Sequence, residues 1–218
     1  MREIDIKILI KEILIEQGIP SDVSKKLSTI IDECTLKWKP VNDVELKKAR
    51  SIIVFSFDFV LAPNGNKTPG PINEKLAEQT QRLYAEIKKP VFAQWEVAEL
   101  LKGKIPNSLL NAIYPDINLK AGGLVKHFSS QDVLKKALKK GLANPILVIA
   151  HYYHLRRCMN LLRYNDFKVT SDPDSMPKEF NPESGIAWTK GSLVNTVSHI
   201  ISNLWSYRET KIYPRYSL

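Results

Sequence analysis

Residues 144–169 read NPILVIAHYYHLRRCMNLLRYNDFKV, and their order decides the fold class. A proline-bounded apolar run, Ile146 to Ala150, stops at a cluster of His151, His154, Arg156 and Arg157. A helical pattern then carries the chain to a second short β-like run. Strand, polar turn, helix, strand is the unit of a parallel sheet, because a parallel partner is reached only through a crossover. In such sheets ligands settle beyond the carboxyl ends of the strands, where these polar residues fall.

The same alternation extends upstream. Residues 51–60, SIIVFSFDFV, predict a strand that ends in the turn-rich loop LAPNGNKTPGPIN. A helix over 73–88 follows, with Leu76, Thr80, Leu83 and Ile87 inward. PVFAQ (90–94) reads as a second strand and WEVAELLKGK as a short helix. Residues 105–121 are weakly patterned. Residues 122–128 predict a third strand, and Ser129 or Ser130 caps the lysine-rich helix after it. Beyond Thr170 a loop leads to a long helix over about 187–208. Strands alternating with helices predict an α/β fold: a three-layer, mostly parallel sheet with helices on both faces, over residues 50–210.

Residues 1–40 predict a helical extension ahead of that sheet. Ile6, Leu9, Ile10 and Ile13 keep helical spacing, and Gly18-Ile19-Pro20 stops the segment. Ser21 then offers a cap for a second helix with Val23, Leu27, Ile30, Ile31 and Cys34 on one face.

Composition narrows the function classes. The chain is 44% hydrophobic and 25% charged, which excludes disorder, and its apolar runs are far too short to span a membrane. Cys34 and Cys158 sit in apolar helical settings and read as reduced core thiols. The expected location is the cytoplasm. Nearly all of the net charge of +9 falls in residues 120–170, where ten Lys/Arg face only Asp132 and Asp166. An anionic partner follows from that concentration. Lys135, Lys136, Lys139 and Lys140 form the solvated face of one amphipathic helix, whereas Arg156 and Arg157 directly follow a strand end.

The usual nucleotide signatures are missing. Gly65-Asn66-Lys67-Thr68 lacks the spacing of a phosphate-binding loop, and no GxGxxG follows a strand. His151 and His154 would need a third ligand, from His127, His199 or a carboxylate, to hold a metal, and there is no HExxH or CxxC, so no metal is expected. Instead His154 and Arg157 are suited to an anion at a helix start. Asp58 follows the first strand, and Gln94 and Glu96 close the second. No triad or carboxylate pair can be read from spacing alone.

The run Tyr153-His154-Leu155-Arg156-Arg157-Cys158, behind ILVIA and ahead of LLRYNDFKV, resembles the His-x-x-Arg helix start of the SanA/ElyC/YdcF-like family. That family shares a domain of largely unknown function. His154 and Arg157 fall on the matching positions. Leu83-Tyr84 before PVFAQWEVA looks like the family's Leu-Tyr helix end, and Gln94-Trp95-Glu96 and Trp188-Thr189 resemble a variant of it. The likeness covers about residues 50–208. Three elements depart from it: FSFDFVLAPNG replaces the glycine cluster after the first strand, AQWE replaces a Ser-Gly-Gly, and the Ser/Thr/Glu/Asn segment ahead of the His-x-x-Arg strand survives only loosely as Ser129-Ser130-Gln131-Asp132. The resemblance implies a Rossmann-like fold and, from one member, S-adenosylmethionine as a cofactor; the residues themselves name none.

The expectation is therefore a cytoplasmic protein binding a small anionic molecule, nucleotide-like or phosphorylated, through Asp58, Gln94, Glu96, His151, His154 and Arg157. Two alternatives use other features. A nucleic-acid-binding module would neutralise phosphates with the four lysines and stack bases on Tyr152, Tyr153 or Tyr164. An assembly protein would work through its first 40 residues, pairing with another copy or a partner.

Overall fold

A computed structural model describes residues 6–31, 39–116 and 128–191. Among them a five-stranded, wholly parallel sheet is built from β1 (Ser51–Val54), β4 (Val91–Gln94), β5 (Leu110–Ile113), β6 (Ile146–Ile149) and β7 (Val169–Thr170) in the order β5-β4-β1-β6-β7. β1, β4 and β6 are buried at every position, as continuous β-branched and apolar runs must be when both sheet faces are covered. The fold is α/β and Rossmann-like.

Connection direction explains the layers. Helices α3 (Pro71–Ile87) and α4 (Trp95–Leu101) carry the chain from β1 through β4 to β5, and they pack on each other. The chain then recrosses the sheet: α5 (Ser130–Lys139) lies between β5 and β6, and α6 (Tyr152–Arg163) between β6 and β7. Right-handed crossovers travelling in opposite directions put their helices on opposite faces. The core between them is apolar, with Ile52, Ile53, Leu76, Leu83, Phe92, Leu134, Leu147 and Leu155 at most 2% exposed.

Several expectations change. The first strand stops at Val54, and Phe59–Leu61 (β2) turns back antiparallel to Lys67–Pro69 (β3), so the expected loop holds a hairpin. Three-residue strands are too short to show an alternating pattern. The weakly patterned stretch contains β5, an edge strand whose Leu110, Asn111 and Ala112 are only half-buried and so need no apolar run. Helix α3 starts two residues earlier than expected, since Pro71 tolerates a first helical position, and stops where Lys88 enters the left-handed region at φ 49°. The strand expected over 122–128 lies almost wholly outside the described residues. Of the expected last helix, Ala187–Thr189 is a 3-10 turn and residues beyond 191 are outside the description.

Helices α1 (Ile6–Glu16) and α2 (Ser21–Ile31) pack on each other. Gly18, at φ 79°, makes the left-handed C-cap that only glycine adopts without strain. Ser21 is the first helical residue rather than the cap. Val23 is exposed, and Ser24 and Ser28 are buried in its place. Cys34 lies outside the described residues. Cys158 is a free, buried thiol whose pKa burial pushes up to about 12, so it is inert.

The segment ahead of β1 covers the open edge of β7. Asp43 donates its N–H to the Val169 carbonyl and accepts the Val169 N–H on its carboxylate, both at 2.9 Å. Asn42 makes the matching pair with Ser171, and Arg163 ties down Asp43 at 3.0 Å. Edge donors and acceptors that could pair with another chain are thereby used.

Candidate functional site

The chain leaves β1 toward β4 and returns to β6 on the other side, so the connections after β1 and β6 diverge at the carboxyl edge. That divergence opens the crevice in which such sheets hold ligands. The turn after β1 is filled by the protein itself. Phe55 donates to Ile149 O at 3.0 Å, Ser56 N–H to Gln94 Oε1 at 3.3 Å, and Phe57 N–H to Asn73 Oδ1 at 2.9 Å. These peptide donors are already bonded where a dinucleotide fold offers them to a pyrophosphate.

Asp58 completes that substitution. It is 1% exposed; its carboxylate accepts the Asn73 N–H at 3.3 Å and the Asn181 side-chain amide at 2.9 Å, while Asn73 Nδ2 donates to the Asp58 carbonyl. Asn73 stands in the first turn of α3, and Pro71 there has no N–H to offer. A carboxylate of the protein's own thus sits at the helix N-terminus, where the dipole favours negative charge. A Cβ on Gly70 would collide with this carboxylate, so the close approach requires glycine. Burial raises the Asp58 pKa against the opposing bonds from Asn181, Asn73 and Ile72.

His151 closes β6. Its ring is fully buried and stacked on Phe57 at 3.6 Å with planes 10° apart, beside Phe180 at 5.2 Å. Nε2 lies 2.8 Å from Glu179 O, and a carbonyl can only accept, so the proton is on Nε2 and Nδ1 keeps the lone pair. Nδ1 has no partner. Burial holds the His151 pKa down to about 4, leaving the ring neutral. Tyr153 stacks on Phe180 at 5.5 Å and extends this aromatic wall.

His154 and Arg157 do come together, with a residue outside the six expected ones. The start of α5 is fixed by a capping box: Ser129 Oγ accepts the Asp132 N–H, and the Asp132 carboxylate accepts the Ser129 N–H. The next side chain, Ser130, then faces α6. Ser130 Oγ is 3.4 Å from His154 Nε2 and 3.4 Å from Arg157 Nη2, and those two nitrogens are 3.4 Å apart. His154 also presents an edge-on contact to Phe55 at 6.2 Å. Burial works against the charge of Arg157 and lowers its pKa. The adjacent serines at positions 129 and 130 carried a signal for Ser130: one suffices to cap, which frees the other.

Gln94 and Glu96 form a second cluster at the end of β4. Gln94 is 9% exposed and Glu96 6%, and both act on Ser56, Gln94 through the Ser56 N–H and Glu96 through its hydroxyl. Glu96 Oε2 is buried without a hydrogen-bond partner. Burial pushes the Glu96 pKa up to about 7, opposed by its backbone N–H, Ser56, Gln94 and the charge of Lys67 on β3. β1 separates β4 from β6, so the roots of the two clusters are about 10 Å apart, twice the strand spacing. The six expected residues therefore divide. His154 and Arg157 meet at Ser130, Gln94 and Glu96 meet at Ser56, Asp58 anchors α3, and His151 packs on Phe57.

Among the described residues no three His, Cys, Asp or Glu side chains gather closely enough to hold a metal, and no helix is long and apolar enough to cross a membrane. A cavity of about 310 Å³ beside α3 is lined by none of the six residues and is flanked by the Lys75–Glu179 ion pair. No protein-family model matches the chain, nor does any curated protein or solved structure.

Proposed function

We propose that this is a cytoplasmic Rossmann-like protein that binds a small phosphorylated or nucleotide-like anion at the carboxyl ends of β1 and β6. The observation that carries the reading is the convergence of Arg157, His154 and Ser130, from two helices, within 3.4 Å of one another. Contacts of that length are weak, and an anion would replace them with charge-assisted bonds of about 2.7–2.9 Å. Residues 120–170 carry ten Lys/Arg against two Asp, a balance that favours an anionic partner. Gln94, Glu96 and Ser56 form the facing side, which suits the hydroxyls or amines of the rest of the ligand. Asp58 holds the start of α3, and His151 packs in the aromatic wall with Phe57 and Phe180.

The His-x-x-Arg likeness to the SanA/ElyC/YdcF-like family supports the same pair, and it adds S-adenosylmethionine to the candidates. A thermal-shift screen against nucleotides, nucleotide sugars, sugar phosphates, inorganic phosphate and S-adenosylmethionine tests the reading. At least one phosphate-bearing compound raises the melting temperature. A melting temperature unmoved by every one of these compounds would contradict it.

A further inference from the structure

The geometry points to Ser130 as a nucleophile for phosphoryl transfer, with His154 as its base and Arg157 as the cation on the transferred group. This rests on the anion-binding reading of the same three residues and adds a reaction to it. The hydrogen-bond directions follow from the partners. A guanidinium has donors only, so in the Arg157–His154 contact Nε2 must accept, and Nε2 is the nitrogen that carries the lone pair. Ser130 Oγ, 3.4 Å from that lone pair, can direct its own proton there. Arg157 Nη2 donates to the same Oγ, which favours the oxygen as its proton leaves. Arg157 thus donates to both other groups, and Ser130 and Arg157 share the one lone pair of Nε2 as acceptor; such pairs are often loose before substrate draws them in.

The cation selects the substrate class. Arg157 sits on the nucleophile itself, and a planar guanidinium matches phosphoryl oxygens. A phosphate monoester brings a doubly charged group whose repulsion of an incoming oxygen the arginine offsets. In the first step the Ser130 Oγ–P bond forms and the P–O bond to the alcohol breaks. The serine proton passes to His154 Nε2 and then to the departing alkoxide. In the second, water attacks the phosphoserine and gives a proton to His154, and the released Ser130 oxygen takes that proton back. The net change is ester plus water to alcohol plus phosphate, with no oxidant or further reactant. Ser129 and Asp132 hold the start of α5, so replacing Ser130 leaves the cap intact.

The test incubates the protein with para-nitrophenyl phosphate, quenches in acid and maps the adduct by mass spectrometry, with the melting shift by inorganic phosphate read in parallel. The expected result is one phosphoryl group on Ser130. It is absent in Ser130→Ala and reduced about a hundredfold or more in His154→Gln, the ordinary contribution of a general base. Ser130→Ala still unfolds cooperatively, because the Ser129–Asp132 cap is untouched. Ser129→Ala, which weakens the cap, lowers the melting temperature but keeps the adduct. A phosphate shift without any adduct, or an adduct on another residue, overturns the nucleophile and leaves the anion site standing. Neither shift nor adduct overturns both.

Discussion

Nε2 of His154 lies 3.4 Å from Nη2 of Arg157, one turn further along the same helix. A three-residue spacing puts both side chains on one face of α6, and Ser130 of α5 meets them there. The arginine brings a permanent charge and a fork of donors, whereas the histidine offers a single nitrogen. His154→Gln is therefore expected to weaken binding of inorganic phosphate less than Arg157→Ala does, by titration calorimetry. Equal losses would mean that the histidine contributes as much as the cation.

Glu96 makes stability fall as pH rises. The unfolded side chain ionises near its ordinary 4.5, while burial holds the folded group protonated up to about 7. Below 4.5 both states are protonated and nothing is lost. Between 4.5 and 7 only the unfolded state gains by ionising, and above 7 the loss is complete, at about 3 kcal/mol. Glu96→Gln has the same shape without the titration. Urea unfolding at pH 5 and pH 8 is expected to show the variant gaining on the wild type at the higher pH. An unchanged difference between the two pH values would mean that Glu96 is ionised in the fold.

His151 acts in the opposite direction. Its folded pKa is held down to about 4 against an ordinary 6.5, so its stabilising effect is complete above 6.5 and is lost as pH falls toward 4. The full loss is again about 3 kcal/mol. His151→Phe keeps a ring against Phe57 but gives up the bond to Glu179 O. The variant is expected to be about 1 kcal/mol less stable at pH 7.5 and to lack this acid-side loss. Denaturant midpoints at pH 5 and 7.5 read both effects, and an acid sensitivity equal to wild type sinks the assignment.

Asp58 is expected to matter for folding more than for ligand. Asp58→Ala leaves the Asn181 amide and the α3 N–H groups without their acceptor, at a cost of about 2–4 kcal/mol. Gly70→Ala displaces the same carboxylate, so the double variant loses less than the sum of the two single ones. Chemical denaturation of the four proteins measures this, and additive losses would show the two positions to be independent.

The sheet was legible where burial on both faces forces unbroken apolar runs, as in β1, β4 and β6. It was not legible in β5, whose edge position tolerates Asn111, nor in the hairpin, whose three-residue strands carry no period. In the site, His154 and Arg157 were found because the helix start after β6 fixes their spacing. The partition of the other residues depends on contacts distant in sequence. Asn181 reaches Asp58 across 123 positions, and Ser130 reaches His154 across 24. No local pattern encodes such pairs.

The central claim is an anion held by Arg157, and the most direct measurement is the melting temperature of wild type and Arg157→Ala with the best phosphate-bearing compound. At a hundredfold excess over the dissociation constant, binding stabilises the fold by about 2.7 kcal/mol. For a chain of this size that is a rise of about 5–10 °C. The account predicts this rise in wild type and its near loss in Arg157→Ala, with the unliganded variant still folding cooperatively. An equal rise in both proteins, or none in wild type with any anionic compound, would contradict it.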